Sequence, residues 1–127
     1  MSKIMIIKMI TVYALKFGVD ANIAISVAAV ESQFNPNAIG ITQDLGVFQL
    51  NPKSFPQFTK QQLLQPELNI KLGVKYLAEV KKTCNHKEGI TWLTCFNAGN
   101  KGARKIKHAN LFPYVKKVQL TMNERNL

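Results

Sequence analysis

The chain has 127 residues, 46% of them hydrophobic, and a formal net charge of +10. That length supports one compact domain with a real core and excludes two. No apolar run approaches the roughly 20 residues of a membrane span, because Lys8 and Lys16 interrupt the most hydrophobic stretch.

The pattern is all-helical, with about six helices and no strand run bounded by hairpin signals. Ile6, Met9, Ile10, Tyr13 and Phe17 fall on one face of a first helix over residues 3–17, stopped by Gly18. Residues 9–15 also form a short apolar segment behind two lysines, the outline of a secretory signal. No small-x-small cleavage site follows, and cutting there would delete a core helix. Asp20 is placed to cap a second helix running to about residue 33, and Asn35-Pro36 ends it, since a residue before proline is biased away from helix.

An irregular loop or minimal β segment is expected around residues 37–56. Thr59 and Gln62 have capping-box spacing for a short third helix. Pro66 suits the first turn of a long amphipathic fourth helix reaching about residue 83, and Gly73 inside it predicts close approach of another helix. A short apolar helix over residues 91–97 carries Trp92 as a core residue, Gly99 and Gly102 punctuate a turn, and Pro113 opens a last helix through about residue 122.

The charge excess is not evenly spread. Residues 1–50 carry three Lys against Asp20, Glu31 and Asp44, whereas residues 51–127 carry fourteen Lys plus Arg against four Glu. Such a field favours an anionic partner, whether nucleic acid, a membrane surface or a carboxylate-bearing cell wall, or serves only as a solubilising surface. Basic residues interleaved with aromatics on one face are absent, which argues against nucleic acid. Cys84 and Cys95 are too few for a disulfide scaffold and lack partners at zinc-ligand spacing. A single bridge or two thiols would fit, and with no evident signal peptide free thiols are the expectation. His86 and His108, on Lys-rich segments, are expected at the surface. No metal or organic cofactor site is expected.

The most informative residue is Glu31. It is the sole acidic side chain between Ala21 and Gln43, closing a helical run whose Ile23, Val27, Val30 and Phe34 are apolar. A carboxyl so placed is poorly solvated; desolvation disfavours its charged form and lets it hold a proton near neutral pH, as a general acid must.

Five segments in order carry a resemblance: Glu31-Ser32-Gln33-Phe34-Asn35-Pro36, Gly46-Val47-Phe48-Gln49-Leu50-Asn51-Pro52, Gly73-Val74-Lys75-Tyr76-Leu77, Cys95-Phe96-Asn97-Ala98-Gly99-Asn100 and Pro113-Tyr114-Val115-Lys116-Lys117-Val118. Each is weak alone; together they resemble the lytic transglycosylase domain, over nearly the whole chain. The fourth is similar to the form found in specialised transglycosylases of secretion and conjugation systems and in phage virions. The resemblance implies a small fold like goose-type lysozyme and cleavage of the β-1,4 bond between N-acetylmuramic acid and N-acetylglucosamine in peptidoglycan, with Glu31 as acid and then base closing a 1,6-anhydro ring. A monomer acting at the cell wall or periplasm is expected, and with no evident signal peptide the expected route is delivery by a virion or by a lysis or secretion apparatus.

Asp44 precedes Gly46 in a segment that resembles Asp-x-Gly-x-x-Gln-x-Asn, seen in some specialised transglycosylases and in animal-type lysozymes. It stands as a second catalytic carboxylate for a hydrolytic muramidase outcome, or as a turn cap. Ser32, Gln49 and Asn97 offer groups that match the N-acetyl and hydroxyl groups of a glycan. Phe48 and Phe96 offer apolar faces for sugar rings, Tyr114 a hydroxyl for the cleft, and for each aromatic core packing is an equal alternative. Phe96 replaces the usual Tyr. Asn110 stands where longer relatives in that family often carry an acid, so it cannot share charge with Glu31. A non-catalytic wall-binding or nucleic-acid-binding module is the remaining alternative.

Overall fold

A computed structural model of the protein describes residues 1–125. Six α-helices follow one another: α1 (Lys3–Phe17), α2 (Ala21–Ser32), α3 (Lys60–Leu64), α4 (Pro66–Thr83), α5 (Leu93–Ala103) and α6 (Pro113–Arg125). Single 3-10 turns stand at Pro52–Ser54 and Ala109–Leu111. Among the described residues the only β structure is two isolated bridges, Ile39 with Leu45 and Leu45 with Leu50, so the expected minimal β segment is a pair of tight folds in one loop.

Local caps explain most of the boundaries. Ser2 accepts from the amide of Met5 at the start of α1, and Gly18, with φ 71°, ends that helix in the left-handed conformation. The Asp20 carboxylate accepts from Ile23 N. Thr59 and Gln62 form a reciprocal capping box, and Pro66 opens α4. At the end of α2 two successive non-glycine residues, Gln33 (φ 52°) and Phe34 (φ 62°), are left-handed. Each costs about 1–2 kcal/mol, and burial of Phe34, 8% exposed, helps to hold the reversal. The chain therefore turns within two residues of Glu31.

The core lies where α1 and α2 pack on each other, α1 on α4, α4 on α5 and α2 on α6. Ile6 and Ile10, Val27 and Ala28, Ile70, Val74 and Leu77, Leu93 and Val118 are fully buried. Burial of each large aliphatic contributes about 1.5–3 kcal/mol. Trp92 is buried as expected.

The structure corrects four expectations. Cys84 and Cys95 are joined in a disulfide that ties the end of α4 to the first turn of α5. Gly73 admits not a helix but the side chain of Phe48, which a Cβ there would overlap. Gly99 does not stop the fifth helix: it kinks it, at φ 75° and ψ 159°, a conformation open essentially to glycine alone, and the helix resumes to Ala103. His86 is half-buried, its Nε2 2.8 Å from the carbonyl oxygen of Ala103. No helix among the described residues is long and apolar enough to cross a membrane.

Candidate active site

One groove, of about 320 Å³, gathers residues from four parts of the chain: Glu31 from the last turn of α2, Asp44, Gln49 and Asn51 from the loop, Tyr76 from α4, and Phe96, Asn97 and Gly99 from α5. A larger cavity of about 410 Å³ lies between the α5 approach and α6, lined by Ile90, Val115 and Leu120 among others. It holds no residue of the groove. Asn110 lines that second cavity, so its amide does not reach the groove.

Glu31 owes its position to the packing of α2, whose preceding residues Ala24 to Ala28 are all buried. Burial pushes its carboxyl up to about 7, from an ordinary 4.5. The Tyr114 hydroxyl donates a 2.7 Å hydrogen bond to Glu31 Oε2 and pulls the value down, the charge of Asp44 raises it, and Lys117 lowers it. Desolvation is the largest of these effects, and the outcome is a carboxyl that exchanges its proton near neutrality. Tyr114 titrates well above its usual range, mainly through its own burial and then through the adjacent Glu31 charge. It is therefore a donor throughout the neutral range.

The loop that faces Glu31 is clamped from beneath by Asn69, a fully buried residue of α4. Its Oδ1 accepts from Phe48 N at 2.8 Å, and its Nδ2 donates to the carbonyls of Leu45 and Leu63, both at 2.8 Å. Every hydrogen-bonding direction of the amide but one acceptor lone pair is thereby used. Gly46, at φ 77°, lies so close to Asn69 that a Cβ there would overlap its amide.

Among the binding residues expected from sequence, two face inward. The Ser32 hydroxyl donates to Val47 O at 2.7 Å and so fastens the loop to α2. Phe48 lines the groove wall, but its ring is 1% exposed and packed on Gly73, which is the core-packing alternative. Gln49 also lines the groove, with both amide hydrogens spent on Ala38 O (3.1 Å) and Gly46 O (3.0 Å). Asn97 is exposed on the groove, and its amide makes no hydrogen bond among the described residues. Asp44 is half-buried there, its Oδ2 accepting from the Thr42 hydroxyl at 2.9 Å. Tyr114 does not line the groove; it reaches Glu31 from α6.

Phe96 belongs to an aromatic wall that the sequence reading did not assemble. Its ring is tilted against Tyr76 with centroids 5.4 Å apart, and Tyr76 meets Phe55 edge-on at 6.4 Å. Tyr76 stands three residues after Gly73 on α4, and that spacing was the available signal: it puts the ring on the same face as the close contact with the loop. Among the described residues no group of three His, Cys, Asp or Glu could hold a metal ion.

A helical domain whose groove carries one proton-exchanging carboxyl, a second carboxylate and a row of aromatic rings has the make-up of a glycan-cleaving enzyme. The family model of the transglycosylase SLT domain matches residues 8–119, and the chain belongs to that family. In fold it is similar to the solved structure of an inactive mutant of the lytic transglycosylase Slt from Pseudomonas aeruginosa, with a TM-score of 0.70 and 20% identity. That match covers 91% of this chain but 22% of the other, so the chain spans about a fifth of that protein's length. No curated protein sequence matches the chain.

Proposed function

We propose that this domain is a lytic transglycosylase that cleaves the β-1,4 bond between N-acetylmuramic acid and N-acetylglucosamine in peptidoglycan, with Glu31 as its single acid and base. Protonated Glu31 gives its proton to the glycosidic oxygen as the bond to muramic acid C1 breaks. The resulting carboxylate takes the proton of the C6 hydroxyl, whose oxygen attacks C1 and closes a 1,6-anhydro ring. Glu31 is then protonated again, and no water is consumed. One group can fill both roles only if its two forms are near balance, and a carboxyl poised at about 7 in the groove is the observation that carries the reading.

The neighbouring groups fit this chemistry. The Tyr114 hydroxyl stabilises the carboxylate between the two transfers. The charge of Asp44 favours the positive character that develops at C1. Asn97 presents a free amide to an N-acetyl group, and Tyr76, Phe96 and Phe55 offer rings for sugar faces. The Cys84–Cys95 bridge fits work outside a reducing compartment, at the cell wall. The domain acts as a monomer, and the likeness of segment 95–100 to specialised transglycosylases favours delivery by a virion or a secretion apparatus.

Asp44 gives a second reading its footing. It shares the groove with Glu31 and is close enough to raise its pKa, so it could assist attack by water at C1, a hydrolytic muramidase reaction. Digestion of peptidoglycan in ¹⁸O-water separates the two. The proposal expects unlabelled 1,6-anhydro ends by mass spectrometry; ¹⁸O-labelled reducing ends would replace it with the hydrolytic reading.

A further inference from the structure

Helix α1 has two apolar faces, and the fold uses only one. Ile6, Ile10 and Ala14 point into the core and are fully buried. Directly opposite, at helical spacing, stand Ile4, Val12 and Leu15 with Met5 at their edge. They are 67%, 62%, 78% and 51% exposed, respectively. Lys8 lies in the middle of this outer stripe, Lys16 borders it, and α1 carries no acidic residue. Elsewhere among the described residues the exposed large apolar side chains on helices reduce to Leu111, on a 3-10 turn, and Leu120. A contiguous stripe of this kind marks a contact surface.

The charges on the stripe narrow what can cover it. In a two-fold pairing of antiparallel α1 helices, the same surface meets itself, which brings Lys8 toward its own copy with no acid on either helix to offset it. An anionic bilayer surface satisfies both features at once. The apolar side chains enter the boundary between headgroups and acyl chains, while Lys8 extends its ammonium to the anionic headgroups along an apolar stem. Lys16, at the border, leans toward the inner face, its ammonium over the rings of Tyr13 and Phe17 at 6.0 and 5.7 Å, so Lys8 is the cation that the stripe itself presents. Such a basic group strengthens attachment to acidic lipid. With 15 residues the helix is too short to span and long enough to lie in the interface plane.

We propose that the outer face of α1, centred on Ile4, Lys8, Val12 and Leu15, docks the protein on an anionic lipid bilayer. This goes beyond the glycosidic reading and stands apart from it, because binding is read on vesicles that contain no peptidoglycan.

Cosedimentation of the full chain with phosphatidylglycerol/phosphatidylcholine vesicles, and with phosphatidylcholine alone, tests it. The protein should partition onto the anionic vesicles and bind the neutral ones far less. The double variant Val12→Gln/Leu15→Gln should lose about tenfold or more of that binding, with an unchanged helical circular dichroism spectrum and unchanged digestion of isolated peptidoglycan. Lys8→Gln should weaken binding by a smaller factor. Absence of binding to anionic vesicles would overturn the proposal. So would equal binding by the double variant, which would move lipid contact to the basic residues beyond position 50. A dimer in sedimentation equilibrium that the double variant abolishes would instead make the stripe a self-interface and equally overturn it.

Discussion

The Tyr114 hydroxyl and the Glu31 carboxylate, 83 positions apart in sequence, meet at 2.7 Å and join α6 to the end of α2. The bond is made to the charged form of Glu31, so it opposes the upward push of burial. Removing the hydroxyl alone, in Tyr114→Phe, should raise the Glu31 pKa further. The limb of the pH–rate profile that reports loss of the acid then moves to higher pH, and turnover falls about tenfold because the carboxylate form loses its donor. Profiles of kcat/KM on soluble glycan fragments for the two proteins measure both effects; an unmoved limb would contradict them.

The same burial sets a pH dependence of stability. A carboxyl at about 7 when folded and 4.5 as the ordinary value binds more protons folded than unfolded between those values. Stability is therefore lost as pH rises from about 4.5 to about 7, and the full cost is present above that. Glu31→Gln removes the charge and keeps an acceptor for Tyr114. The variant should melt higher than the parent at pH 8, by an amount worth up to about 3 kcal/mol, and the gap should close toward pH 4. Calorimetry at the two pH values checks the sign.

The Asn69 clamp makes another expectation. Asn69→Ala strands Phe48 N and the carbonyl of Leu63 in the interior, while the carbonyl of Leu45 keeps only its bond from Leu50 N. The loss should be about 3–5 kcal/mol of stability, measured by urea unfolding. Because the loop carries Asp44 and Gln49 into the groove, turnover should fall even at temperatures where the variant remains folded.

Helix ends were legible because their causes are local. Asp20, Thr59 with Gln62, Pro66 and Gly18 each act within four residues, so spacing alone located them. Glu31 was legible for a related reason: an isolated acid after an apolar helical run advertises its own desolvation. What the sequence hid is long-range. Nothing in the spacing of Ser32 and Gln49 shows that the loop folds back and offers their donor groups the Val47, Ala38 and Gly46 carbonyls. Phe48 looks like a sugar platform until Gly73 gives it a place in the core. The outer face of α1 was hidden by the inner one, since a stripe of core residues says nothing about what lies opposite.

The bridge between Cys84 and Cys95 was open in the sequence because pairing depends on geometry and on compartment. It encloses a short loop and fixes the first turn of α5, next to Phe96 and Asn97. Reduction, or Cys84→Ala with Cys95→Ala, should cost about 2–3 kcal/mol and lower the melting temperature by roughly 10 °C. A melting temperature indifferent to reductant would show the bridge to be idle.

The central claim is that the Glu31 proton drives bond cleavage, and turnover by Glu31→Gln tests it most directly. With purified peptidoglycan at pH 6–7, release of soluble muropeptides should fall by about 10²–10⁴-fold, while sedimentation with the insoluble wall shows glycan binding retained. Release at the parental rate by the folded variant would contradict the account.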